Sequence, residues 1–182
     1  FLAGPKVGAA GRVIGVDMTP EMLAKANANA AKLGFTNVEF RLGQIEALPV
    51  VPDGIDVVIS NCVLNLLPDK MPAFTEMFRV LRSGGRFCVS DIVATGLLPK
   101  PVRDAAALYV GCVAGALPEA EYMSLIDQAG FKAVRIAEGK PVDLPDEVLA
   151  QYMTQGDIDA FRQTRVELKS VTVLGTKPAA VN

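Results

Sequence analysis

Arg12-Val13-Ile14-Gly15-Val16-Asp17-Met18-Thr19-Pro20-Glu21-Met22 is the stretch that decides the fold. Residues 12–17 form a short apolar run ending in an acid, the pattern of a buried parallel strand. A helix follows at once. Thr19 stands at the N-cap and Pro20 at the first helical position. Met22, Leu23, Ala26, Ala30 and Leu33 recur at helical spacing as an apolar stripe, and Gly34 stops it.

The same alternation continues outward. Residues 37–42 read as a second strand, with Val38, Phe40 and Leu42 alternating. Residues 43–54 read as a loop and 55–60 as a third strand. A helix is expected over 69–82, with Asp69 as N-cap, Phe74, Met77, Phe78 and Leu81 as its apolar face, and Ser83-Gly84-Gly85 as its stop. Strands follow at 86–92, 131–136 and 168–176. Helices follow at 119–129, 145–153 and 157–165. The small-residue-rich stretch 99–117 reads as helical and is placed as a cap over the strand ends. Strands alternating with helices predict an α/β fold with a doubly wound, mostly parallel sheet. The expected division is a core over residues 1–98 and a substrate cap with the C-terminal α/β part over 99–182.

Composition bounds the function. The chain has 182 residues, 51% hydrophobic and 21% charged, enough for one domain with a small subdomain. A net charge of −2 gives no footprint for nucleic acid or an anionic membrane, so neither is expected as a partner. No apolar run approaches the roughly 20 residues of a membrane span. Three cysteines make no disulfide framework, so a reducing, cytoplasmic setting is expected. The chain contains no His, which removes any His base or His-rich metal site from it. Phe1-Leu2-Ala3-Gly4 reads as the last turn of a helix, and the expectation is a fragment whose N-terminal part is absent.

Ligands of doubly wound sheets bind beyond the carboxyl ends of the strands. Asp17, residues 43–46, residues 60–62 and Asp91 fall at those ends. An acid there can accept both hydroxyls of a ribose, and it follows a glycine-rich phosphate loop by roughly 20 residues. Counting back from Asp17 puts that loop before Phe1. Two cysteine peptides stand out beside these ends: Ser60-Asn61-Cys62-Val63-Leu64-Asn65-Leu66 and Tyr109-Val110-Gly111-Cys112-Val113-Ala114-Gly115-Ala116. Two thiols at such places point to a soft, thiol-seeking substrate. Each also has the plainer reading of a small buried hydrophobe. Cys88, inside Phe87-Cys88-Val89 on a strand, is read as core packing. Asp91 faces the cleft or caps the next turn, and sequence does not choose.

Val13-Ile14-Gly15-Val16-Asp17-Met18-Thr19-Pro20-Glu21-Met22 and Phe78-Arg79-Val80-Leu81-Arg82-Ser83-Gly84-Gly85-Arg86 resemble segments of class I S-adenosylmethionine methyltransferases. The narrower resemblance is to arsenite S-adenosylmethionine methyltransferases. It is carried by Asn37-Val38-Glu39-Phe40-Arg41-Leu42-Gly43-Gln44-Ile45-Glu46-Ala47-Leu48-Pro49, by the two cysteine peptides and by Ser90-Asp91-Ile92-Val93. It spans about residues 1–131. It implies a Rossmann-like fold lacking its first strand and S-adenosyl-L-methionine as cofactor. Asp17 would hold the ribose hydroxyls. Met18 would pack on the adenine or simply in the core. Ile45 would line the adenine, Glu46 would lie near its amino group, and Asn61 would make a backbone contact. Gln44 stands where the family usually has an acid.

The resemblance further implies arsenic(III) as the substrate, arriving as arsenite or its thiol adducts. Cys62 and Cys112 would ligate it, and a third family cysteine would lie upstream of this chain. The arsenic lone pair would attack the cofactor methyl, a step that needs no general base. A thiol reductant, glutathione or thioredoxin, is implied as a partner. Two other readings stand beside it. One is a class I methyltransferase of quinones or other small molecules, which gives no reason for the two cysteines. The other is an inactive fragment that binds arsenite through two thiols.

Overall fold

The structure, a computed structural model, describes residues 1–8, 10–104 and 113–179. It divides into two compact units, Phe1–Val51 and Pro52–Asn182.

The first unit contains α1 (Ala3–Lys6), β1 (Val13–Asp17), α2 (Pro20–Lys32) and β2 (Val38–Leu42). β1 and β2 pair in parallel, from Val13 opposite Val38 to Asp17 opposite Leu42, so their carboxyl ends lie side by side. Gly15 makes room for a ring: a Cβ there would stand 2.6 Å from Phe40. Phe40 meets Phe1 edge-on, and Phe1 stacks on Phe35. The expected stripe on α2 is only partly buried. Ala30 is enclosed, whereas Met22 and Leu33, which lie on one side of it around the helix, are exposed. Thr19 is the N-cap residue, but its hydroxyl makes no capping bond. Instead its N–H donates to Asp17 Oδ1 at 2.8 Å, the two-residue reach of an Asp-centred turn.

The second unit contains β3 (Ile55–Asn61), a 3-10 turn (Leu64–Leu66), α3 (Met71–Val80), β4 (Leu81–Ala94) and α4 (Lys100–Asp104). After these come α5 (Glu119–Gln128), β5 (Lys132–Val142), α6 (Asp146–Leu149), α7 (Gln155–Gln163) and β6 (Leu168–Thr176). Its sheet runs β3-β4-β6-β5. β3 and β4 are parallel; β6 is antiparallel to both β4 and β5. The strand–helix alternation is as predicted, and the antiparallel edge is what the alternation could not distinguish.

Element ends shift for local reasons. The helix expected over 69–82 spans Met71–Val80, because Leu81 turns extended and pairs with Ile55. Gly84 takes φ of +75°, which lets the chain turn inside the long strand β4. β5 runs beyond the expected 131–136, because β6 offers it a partner as far as Leu168. Of the stretch expected to form a cap, Lys100–Asp104 is helical, and residues 105–112 lie outside the described residues.

The core has two parts. Between α3, α5 and the sheet, Phe74 and Tyr122 meet edge-on at 5.5 Å, and Phe131 packs edge-on against both Phe78 and Phe87. A second cluster sits around the carboxyl end of β4. It joins Ile92, Leu98, Val102, Val113, Leu149, Ile158, Phe161 and Leu168. Among the described residues no helix is long and apolar enough to cross a membrane.

Candidate functional site

In the first unit the parallel register brings Asp17, Met18 and the turn after β2 together. Gly43 N–H donates to the Asp17 carbonyl at 3.1 Å, which joins the two strand ends. A tight turn then closes between Gln44 and Ala47. It leaves Gln44 exposed and Ile45 and Glu46 half-buried. Asp17 is half-buried, with Oδ1 occupied by Thr19; Oδ2 carries no hydrogen bond to a described residue. Met18 is 71% exposed, so it is not a core residue in this structure. An acceptor-only carboxylate beside exposed and half-exposed apolar groups suits a ligand with vicinal hydroxyls and a flat apolar ring.

In the second unit Asn61 is exposed at the end of β3, opposite Ser90 on β4. Cys62 follows with φ of +56°, a left-handed conformation that a side chain bearing a Cβ rarely adopts. Its cost is about 1–2 kcal/mol. The conformation is held by the Cys62 N–H donating to the Ser90 carbonyl at 2.8 Å. The half-buried Cys62 packs against the apolar cluster at the carboxyl end of β4. Strain of this kind, fixed by surrounding bonds, collects at functional positions. Cys88 is half-buried in mid-strand, between Ile59 on β3 and Leu174 on β6. Neither Cys62 nor Cys88 is in a disulfide among the described residues. Cys112 lies outside the described residues.

Asp91 neither faces an open cleft nor caps a turn. It is 1% exposed, and its Oδ2 accepts the hydroxyl proton of buried Tyr122 at 2.8 Å. Burial pushes the Asp91 carboxyl up to about 6, although the Tyr122 hydroxyl, the Lys70 charge and the Asn65 peptide N–H all oppose the rise. Burial also raises Tyr122, and the Asp91 charge adds to it. Lys70, 3% exposed, has an ammonium pulled below its ordinary value by burial, against the favourable charges of Asp91, Glu121 and Asp69.

Sequence reasoning missed Lys70 and Tyr122. Lys70 precedes a helix, where a lysine reads as a solvated charge. Tyr122 carried a usable signal: an aromatic on the buried side of α5 whose hydroxyl needs a partner. Two open concavities of about 350 and 340 Å³ lie elsewhere, one bordered by Glu119, Lys140 and Lys169, the other by Pro5, Phe35 and Asn37. Neither contains a candidate residue.

Residues 1–130 match the methyltransferase domain family model. The chain is 47% identical over 98% of its length to an arsenite methyltransferase of Halobacterium salinarum, of which it covers 44%. It is 41% identical over 90% of its length to an arsenite methyltransferase of Aquipseudomonas alcaligenes, of which it covers 49%. The chain thus spans about half the length of the curated relatives it matches. Its fold superimposes on the crystal structure of an arsenic(III) S-adenosylmethionine methyltransferase from Chlamydomonas reinhardtii. The TM-score is 0.81 and the identity 33%, over 97% of this chain and 59% of that one. With the match covering most of its length and the strand ends arranged as described, this chain belongs to the methyltransferase domain family, with the class I, Rossmann-like fold.

Proposed function

We propose that the protein methylates trivalent arsenic, with S-adenosyl-L-methionine as methyl donor and the thiols of Cys62 and Cys112 as the arsenic ligands. The observation that carries the reading is the left-handed Cys62, pinned by Ser90 at the carboxyl end of β3. It occurs in a chain 47% identical to a protein named arsenite methyltransferase.

The residues at the strand ends fit the cofactor. Asp17 has a carboxylate oxygen available for the ribose hydroxyls. Met18 and Ile45 offer apolar surface for the adenine, with Glu46 and Gln44 at its edge; the backbone contact assigned to Asn61 rests on the family resemblance. When bound, the cofactor supplies a methyl group on a positive sulfonium, an electrophile suited to an arsenic lone pair. The chain's own part is to hold the substrate. Arsenite exchanges two hydroxyls for two thiol sulfurs, the thiol protons leaving with the hydroxyls as two waters, with the lone pair outward. A soft centre held by soft ligands needs no general base, which suits a chain without His. Residues 1–98 would supply the cofactor side, and 99–182 the cover over the substrate. A cytoplasmic setting and an external thiol reductant, glutathione or thioredoxin, complete the reading.

The test is transfer of a labelled methyl group to arsenite, with the arsenic products separated by chromatography. The reading requires arsenite-dependent release of S-adenosylhomocysteine that is lost in Cys62→Ser. Transfer to a quinone with none to arsenite would replace it with the small-molecule reading. Arsenite binding with no transfer from bound cofactor would leave the arsenite-binding fragment.

A further inference from the structure

We propose that Lys70, Asn65 and Gly115 form a positioning lock that holds the turn after Cys62 against the segment after Cys112; this rests on the two-thiol reading above.

The lock is built on the carboxyl end of β4. The Ser90 carbonyl takes the Cys62 N–H, and the Ile92 carbonyl takes the Asn65 side-chain amide at 2.7 Å. Ala94 N–H donates to the Leu117 carbonyl at 2.9 Å. The turn that contains Cys62 and the described residues that follow Cys112 are therefore fastened to one strand within five residues.

They are also fastened to each other. The buried Lys70 ammonium donates to the Gly115 carbonyl at 2.9 Å and to the Leu67 carbonyl at 3.4 Å, one from each segment. Backbone meets backbone at the same place. A Cβ on Gly115 would stand 1.9 Å from the Asn65 carbonyl oxygen, so only glycine allows the approach. Asn65 and Gly115 each lie three residues after a cysteine.

An apolar residue of the same length would fill the volume of Lys70 without placing a charge inside the core. The ammonium adds a cross-link between two carbonyls, which a thioether cannot make. Asp91 supplies the opposite charge nearby, and the Tyr122 hydroxyl fixes Asp91 from α5. Two thiols bind one arsenic tightly only if both reach it at once, so a loose segment would cost the chelate directly. Lys70 does not touch substrate in this account; it acts through the two segments.

The test uses phenylarsine oxide on the full chain. Two thiols displace its oxygen as one water and form two As–S bonds, so it reports thiol proximity without the cofactor. Lys70→Met and Gly115→Ala are compared with wild type at a temperature where circular dichroism shows each folded. The lock predicts retention of the probe against glutathione weakened about tenfold or more in both variants. The alkylation rate of Cys88 should not change, whereas general loosening would raise it. Unchanged retention in a folded variant, or weakened retention accompanied by a raised Cys88 alkylation rate, overturns the proposal.

Wild type alone also decides it, should a variant not fold. Coupling is reciprocal, so bridging by the probe must slow amide exchange in residues 64–67 and 113–117. Unaltered exchange in both segments overturns the lock. Failure of the two-thiol reading is distinguishable, because wild type would then retain no probe bridged between Cys62 and Cys112 on peptide mapping.

Discussion

Tyr122 donates its hydroxyl proton to Asp91 Oδ2 across 2.8 Å, and both side chains are 1% exposed. The bond ties α5 to β4 between Ser90, the partner of Cys62, on one side and Ala94, bonded to Leu117, on the other. An acid buried this deeply makes the fold sensitive to pH. The folded Asp91 titrates at about 6, above its ordinary 3.8, chiefly because of burial. Between those values the folded chain keeps a proton that the unfolded chain has released. Stability from this group is therefore full below pH 4 and falls as pH rises through 6.

Asp91→Asn removes that titration. The stability of wild type relative to the variant, from urea midpoints, should fall by on the order of 3 kcal/mol or less between pH 4 and pH 7. A difference that is flat, or that grows with pH, would contradict the buried-acid account.

The three cysteines should separate cleanly. Cys62→Ser and Cys112→Ser should each abolish tight arsenite binding, because oxygen is a poor ligand for so soft a centre. Cys88→Ser, in mid-strand, should leave binding nearly intact and cost about 1 kcal/mol of stability. Equal losses from all three substitutions in a binding titration would remove the assigned roles.

Asp17→Asn tests the cofactor end. The amide keeps the shape but presents one acceptor instead of two. Affinity for S-adenosylhomocysteine, measured by calorimetry, should drop about tenfold, the worth of one hydrogen bond to a charged group. Affinity equal to wild type would place the ribose elsewhere.

Two substitutions away from the site calibrate stability. Phe131→Ala empties the space between Phe78 and Phe87 and should cost about 3–5 kcal/mol. Thr154→Ala breaks the capping box with Asp157 at the start of α7 and should cost about 1 kcal/mol. Thermal melts that rank the two in the opposite order would contradict the packing described.

Much of the fold was legible because it depends on local patterns. β6 spans residues 168–176 as its apolar run predicts, and β1 ends at Asp17. Val13 to Asp17 then lines up with Val38 to Leu42, which sets Asp17 beside residues 43–46. What was not legible depends on distant partners. The antiparallel setting of β6 against β4 and β5 has no local signature. Lys70 looks solvated until Gly115, 45 residues away, supplies its acceptor. Asp91 could not be placed because Tyr122, 31 residues on, decides whether it is buried. The left-handed backbone of Cys62 was likewise hidden, since its bond to the Ser90 carbonyl comes from a strand 28 residues on.

The most direct measurement is arsenite binding by the full chain, compared with the Cys62→Ser/Cys112→Ser double variant. The account predicts one arsenic bound per chain in wild type and none in the double variant, both folded by circular dichroism. Wild type that is folded and binds no arsenite, or a double variant that binds it equally, would contradict the two-thiol site and favour a methyltransferase of another small molecule.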